Sequence, residues 1–69
     1  LRKSRFIEGT VVWIEYSKDD CKWECLVDVG EIYEVLCPVK ENQFNIGDHI
    51  EVQITDVTDS GIYGLVKEN

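Results

Sequence analysis

The strongest constraint on this chain lies in residues 44–57, FNIGDHIEVQITDV. Beyond Gly47-Asp48, the apolar Ile50, Val52 and Ile54 alternate with Glu51, Gln53 and Thr55. A period of two puts the apolar set on one face of an extended strand, whereas a helix would scatter it around the cylinder. The alternation then breaks and places Val57 three positions beyond Ile54, a slip that a β-bulge near Asp56 accounts for.

Similar reasoning divides the rest of the chain into strands. GTVVWIEY, residues 9–16, is rich in β-branched and aromatic residues and reads as a first strand. SKDDCK, residues 17–22, is a polar loop in which aspartates favour a turn. WECLVDVG, residues 23–30, sets Trp23, Cys25, Val27 and Val29 against Glu24, Leu26 and Asp28, the pattern of a half-buried strand. EIYEVLCPV follows at once, and Gly30 permits a tight reversal into an antiparallel hairpin. Pro38 lacks a ladder donor and is expected to end the third strand or lie at a sheet edge. KENQFN, residues 40–45, has room for a short helical turn at most. TDSG, residues 58–61, is a turn before IYGLVK, in which Gly64 marks a bend or a close backbone approach.

Five short strands without a long helix predict a small all-β antiparallel barrel, because closure removes exposed edges. Pattern alone leaves a five-stranded OB-fold barrel and an SH3-like barrel open. A chain of 69 residues makes one domain and hides only ~60% of the surface it exposes unfolded, so the core is small. Residues 1–5 read as a basic flexible arm and 6–69 as the domain. The lack of methionine suggests a segment of a longer polypeptide. No run approaches the ~18 apolar residues of a membrane span, and LRKSRF lacks the apolar stretch of a signal peptide.

Charge and cysteine content narrow the function classes. The net charge is -7, with Arg2, Lys3 and Arg5 in the arm and only Lys18, Lys22, Lys40 and Lys67 beyond it, against fourteen acids. An acidic body repels phosphate over the Debye length of ~8 Å, which disfavours tight non-specific nucleic-acid binding. Three cysteines, Cys21, Cys25 and Cys37, are too few for a disulfide framework and point to a reducing compartment, the cytoplasm or nucleus. With His49 they make four candidate zinc ligands, but only the first two have knuckle-like spacing, so no metal or other cofactor is expected. The carboxylates stand beside no serine, histidine or glycine-rich loop in a catalytic arrangement, and no enzyme is expected.

In pieces over most of its length the chain resembles the S-one RNA-binding domain, an OB-fold family. Gly9, Val11 and Ile14 match its opening spacing, LVDVG at 26–30 its second strand and CPV at 37–39 its third-strand exit. Phe44, Ile46, Gly47, Asp48, Ile50, Val52, Ile54, Val57, Gly61 and Ile62 resemble its closing half. That half is also similar to the TRAM domain of RNA-modifying enzymes. The resemblance implies a non-catalytic module touching single-stranded RNA across the second and third strands. The family's glycine-aromatic step is replaced here around Trp23, Cys25 and Leu26, and its third-strand histidine is not evident. The nearest nucleic-acid-binding candidates are Trp23 and Tyr33 for stacking, with Lys18 and Lys22 for phosphate. Trp23 shares a face with Val27 and Val29 and so also reads as core. Trp13 faces opposite to Val12 and Ile14 unless a bulge intervenes, and the more exposed tryptophan is the better ligand candidate. The alternative is an acidic interaction or spacer module that docks on a basic protein partner through residues such as Glu31 and Glu34.

Overall fold

A computed structural model describes residues 5–30 and 33–68. Leu1–Ser4, Glu31, Ile32 and Asn69 lie outside the described residues, and with them Arg2 and Lys3 of the expected arm. The described residues are all-β, with five strands in one sheet: β1 Phe6–Ser17, β2 Lys22–Asp28, β3 Glu34–Val39, β4 His49–Thr58 and β5 Gly61–Val66. Among the described residues no helix is long and apolar enough to cross a membrane.

The strand order is β1-β2-β3-β5-β4, and β4 pairs back onto β1, so the sheet closes on itself. All neighbours are antiparallel except β3 and β5, which share a short parallel ladder at Val35–Ile62 and Leu36–Tyr63. Pro38 stands inside β3, opposite Glu24, rather than ending the strand. It lies past the β5 ladder, where a missing N–H costs least. β1 starts earlier than the alternation predicts, at Phe6, because its first residues pair with β4 and its later ones with β2.

Inside the closed sheet are Val11, Cys25, Val27, Val35, Cys37 and Val52, all buried. Around them pack Ile7, Ile14, Val29, Tyr33, Val39, Phe44, Ile50, Ile54, Ile62 and Val66. Small β-branched residues and cysteines dominate the centre, since a five-stranded ring leaves little width. Two glycines make that width possible. A Cβ on Gly9 would stand 2.5 Å from Val27 Cγ1, and one on Gly64 would stand 2.5 Å from the Gln53 carbonyl oxygen.

The expected bulge is present: the β4–β5 register shifts between Ile54 and Asp56, leaving Thr55 as the extra residue. The Thr55 hydroxyl donates to the Tyr63 carbonyl at 3.3 Å. Val57, beyond the bulge, is 72% exposed rather than core. A second shift, between Val11 and Trp13, makes Val12 the extra residue of β1. Residues 40–45 hold no helical turn. Gln43 N–H donates to Lys40 O at 3.1 Å, with Asn42 at positive φ, and the segment then enters a second turn. That second turn is Asn45–Asp48, closed by Asp48 N–H to Asn45 O at 3.0 Å with Gly47 at φ 99°. A positive φ at the third turn position requires a residue such as glycine. The β2–β3 connection is longer than a tight reversal at Gly30, because β3 begins only at Glu34.

Candidate functional site

Closure sorts the side chains of β1, β2 and β3 into an inner and an outer set, and any ligand must meet the outer set or the loops. Lys18 and Lys22, two of the predicted contacts, lie exposed at the β1–β2 turn. The Ser17 hydroxyl donates to Asp20 Oδ2 at 3.4 Å and accepts from Asp20 N–H at 3.3 Å, which fixes that turn. Asp19 and Asp20 occupy the same turn, so its four charged side chains sum to zero. Trp23 follows on the side of β2 that Cys25 and Val27 share. It is half-buried rather than part of the buried core, and its ring meets Tyr16 edge-on, with centroids 5.6 Å apart at 66°.

Tyr33 packs against the core at the other end of the β2–β3 ribbon. Trp23 stands opposite Val39, six residues along from Tyr33. At roughly 3.3 Å per residue, the two aromatics are about 20 Å apart along the strand. The structure therefore brings Lys18, Lys22 and Trp23 together and leaves Tyr33 out of that group.

The more exposed tryptophan is Trp13, 52% exposed against a half-buried Trp23. Because Val12 is bulged, Trp13 leaves the inner face that Val11 occupies and stands outward. Its register partner is Leu26, Leu26 pairs with Leu36, and Leu36 pairs with Tyr63. Trp13, Leu26, Leu36 and Tyr63 thus form one outer row across four strands, and Asp56 opposite Tyr63 ends it. The indole N–H of Trp13 donates to Glu15 Oε1 at 3.0 Å, which ties the ring to its neighbour. Single-strand reasoning missed Leu26, Leu36 and Tyr63 as a unit, since cross-strand register aligns them; the one visible signal was each residue's position opposite a core neighbour.

On one side of the row Glu15 stands opposite Glu24, and on the other Asp28 stands opposite Glu34. Like charges directly opposed across strands are destabilising. A third such pair, Glu8 opposite Glu51, has a cation of its own: Lys67 Nζ lies 3.3 Å from Glu51 Oε1 and 5.6 Å from the Phe6 ring centroid. The pairs flanking the row have no ion-pair partner among the described residues.

Compared with family models, with curated proteins and with solved structures, the chain gives no match. The four candidate zinc ligands are separated: Cys25 and Cys37 face each other inside the sheet, while Cys21 and His49 are exposed. Among the described residues no group of three or more His, Cys, Asp or Glu is placed to hold a metal ion.

Burial pushes the Cys25 thiol up to about 11. Burial, reinforced by Cys25, pushes Cys37 up to about 12. The thiolate is the reactive form, so neither reacts in the folded protein near neutral pH. A thiol reagent at pH 8 is expected to modify one thiol quickly, Cys21, and the other two only on the timescale of unfolding. Fast modification of all three under native conditions would show that the interior is not closed.

Proposed function

We propose that this chain is a non-catalytic OB-fold barrel of the S-one type whose task is protein interaction, docking through its acidic surface on a basic partner. The strand order β1-β2-β3-β5-β4 with its parallel β3–β5 closure supports the barrel and favours OB over SH3-like topology. One observation carries the functional reading: the outer positions of β1, β2 and β3 around Trp13 present Glu15, Glu24, Asp28 and Glu34. Among the described residues neither the Glu15–Glu24 pair nor the Asp28–Glu34 pair has an ion-pair partner, and the nearest lysine on this face of β2, Lys22, stands two residues beyond Glu24, opposite Ser17. A surface of this sign repels phosphate and attracts lysine- and arginine-rich protein, whose encounter it accelerates. Three free thiols fit a reducing, intracellular setting.

A second reading, weak single-stranded RNA contact, is favoured by the Tyr16–Trp23 edge pair beside Lys18 and Lys22. Stacking contributes about 1–3 kcal/mol per base. The aspartates of the same turn offset the attraction of its two lysines, and Trp23 gives part of its surface to Tyr16.

Titration of the protein at low salt with poly-lysine and, separately, with oligouridylate separates the two readings. Poly-lysine is expected to bind and to be released as salt rises, because exposed ion pairs are screened. Oligouridylate is expected to leave the spectrum unchanged up to millimolar concentration. Oligouridylate binding through the Lys18–Trp23 segment, with no response to poly-lysine, reverses the assignment.

A further inference from the structure

On the protein-interaction reading, the shape of the outer row narrows the kind of partner that fits. Trp13, Leu26, Leu36 and Tyr63 cross three strand-to-strand gaps, each about 4.8 Å, which makes an apolar ridge about 14 Å long. Glu15 and Glu24 lie two residues from it on one side, and Asp28 and Glu34 two residues from it on the other. That is roughly 7 Å in each direction. A ligand complementary to this pattern has an apolar line of similar length with positive charge along both flanks.

An extended peptide does not meet that requirement, since its side chains alternate between two faces and leave no flanks. An amphipathic helix does. Apolar residues at i, i+4, i+7 and i+11 rise about 16 Å along the axis, and the neighbouring positions carry lysine or arginine on each side of the stripe. A single strand of RNA brings phosphate onto two carboxylate pairs. A second copy of this chain brings carboxylates onto carboxylates.

We propose that the Trp13–Leu26–Leu36–Tyr63 row is the docking surface for a basic amphipathic helix of a partner protein. Its apolar stripe lies across the four strands and its cations meet the Glu15–Glu24 and Asp28–Glu34 pairs. Three observations converge on this. The row is apolar and on the outer face, Trp13 exposed and Leu26, Leu36 and Tyr63 half-buried, and these residues are absent from the set that packs against the core. The flanking pairs are the like-charged pairs that lack an internal cation, in contrast to Glu8–Glu51 with Lys67. The Trp13 indole N–H donates to Glu15 Oε1, which sets the exposed ring beside a carboxylate. An arginine or lysine placed there gains a cation–π contact and an ion pair together.

The test uses a synthetic helix of about 18 residues, leucines at i, i+4, i+7 and i+11 and lysines on both flanks, with a scrambled peptide of equal composition as control. Binding is read from Trp fluorescence and amide shifts. The ordered helix is expected to bind at least about tenfold more tightly than the scrambled one. Trp13→Ala is expected to weaken it about tenfold or more, as for an exposed aromatic anchor. Glu15→Lys with Glu24→Lys is expected to do the same. Glu41→Lys with Asp59→Lys changes net charge equally but away from the row, and is expected to stay within about threefold. Trp13 and the four acids are not buried, and unfolding curves verify that each variant folds.

Equal binding of the two peptides, or equal effects of the two double reversals, overturns the row as the site and leaves the basic-partner reading standing. No binding of either peptide or of poly-lysine removes both. Displacement of the helix by oligouridylate, or self-association that protects Trp13 as protein concentration rises, overturns the choice of occupant.

Discussion

Gly64→Ala is expected to lower the melting temperature by about 12–24 °C, or to prevent folding. The added Cβ stands 2.5 Å from the Gln53 carbonyl oxygen and 2.8 Å from Val35 Cγ1. The first of these is backbone and does not move aside like a side-chain tip. Forced overpacking costs about 1–3 kcal/mol, and a rigid neighbour puts this site at the top of that range. A domain this small holds only about 3–5 kcal/mol of stability, with 4–8 °C of melting temperature per kcal/mol. Gly30 provides the contrast. Space around it is open, and only its φ of 86° opposes a side chain, so Gly30→Ala is expected to cost about 1–2 kcal/mol. Thermal unfolding by circular dichroism checks both, and equal small effects would mean that β4 and β5 do not approach as closely at Gly64 as described.

Stability is expected to fall as pH rises above about 9, and the buried thiols supply the reason. Cys25 and Cys37 ionise near 9.0 when unfolded, and only near about 11 and about 12 when folded. Between those limits the folded state binds more protons than the unfolded state, so raising pH favours unfolding. The contribution is fully present below pH 9 and is lost as pH climbs through 11 to 12. Both thiols act in the same direction, and in a domain this small the loss is expected to show as a clear drop in unfolding midpoint. The measurement is denaturant unfolding at pH 7, 9 and 10.5, for the native protein and for Cys25→Ala with Cys37→Ala. The double variant is less stable at pH 7 because it leaves cavities, but its stability is expected to decline less with pH. Parallel declines would assign the alkaline loss to the other titrating groups.

Much of this fold can be read from the residues, because the half-buried strands carry their own period. The alternation after Gly47-Asp48 locates β4, the break at Val57 locates the Thr55 bulge, and Gly64 marks the close approach. The outward direction of Trp13 was less accessible. Val12 is bulged where Val11 engages a distant segment: its N–H donates to Asp48 O at 2.9 Å and its carbonyl accepts from Gly47 N–H at 2.8 Å. A bulge held by bonds to residues 36 and 37 positions away leaves no local signature.

The candidate site was less legible than the fold for a related reason. Trp23 and Tyr33 looked like one stacking surface because they flank adjacent strands, yet antiparallel pairing sends them to opposite ends of the ribbon. Leu26 and Leu36 looked like ordinary strand residues. Their meaning depends on register, which sets Trp13 on one side and Tyr63 on the other. Net charge was the more informative clue, since it already disfavoured phosphate, and the structure adds where the unneutralised carboxylates stand.

The central claim is that the apolar outer row with its acidic flanks, not the β1–β2 turn, meets the partner. Chemical-shift mapping of isotope-labelled protein titrated with the lysine-flanked helix at low salt tests it most directly. The account predicts saturable shifts at the Trp13 indole and at Leu26, Leu36 and Tyr63, reversed by added salt, with Lys18–Trp23 unmoved. Shifts confined to Lys18–Trp23, or an outer row that stays silent while the helix binds, would contradict it.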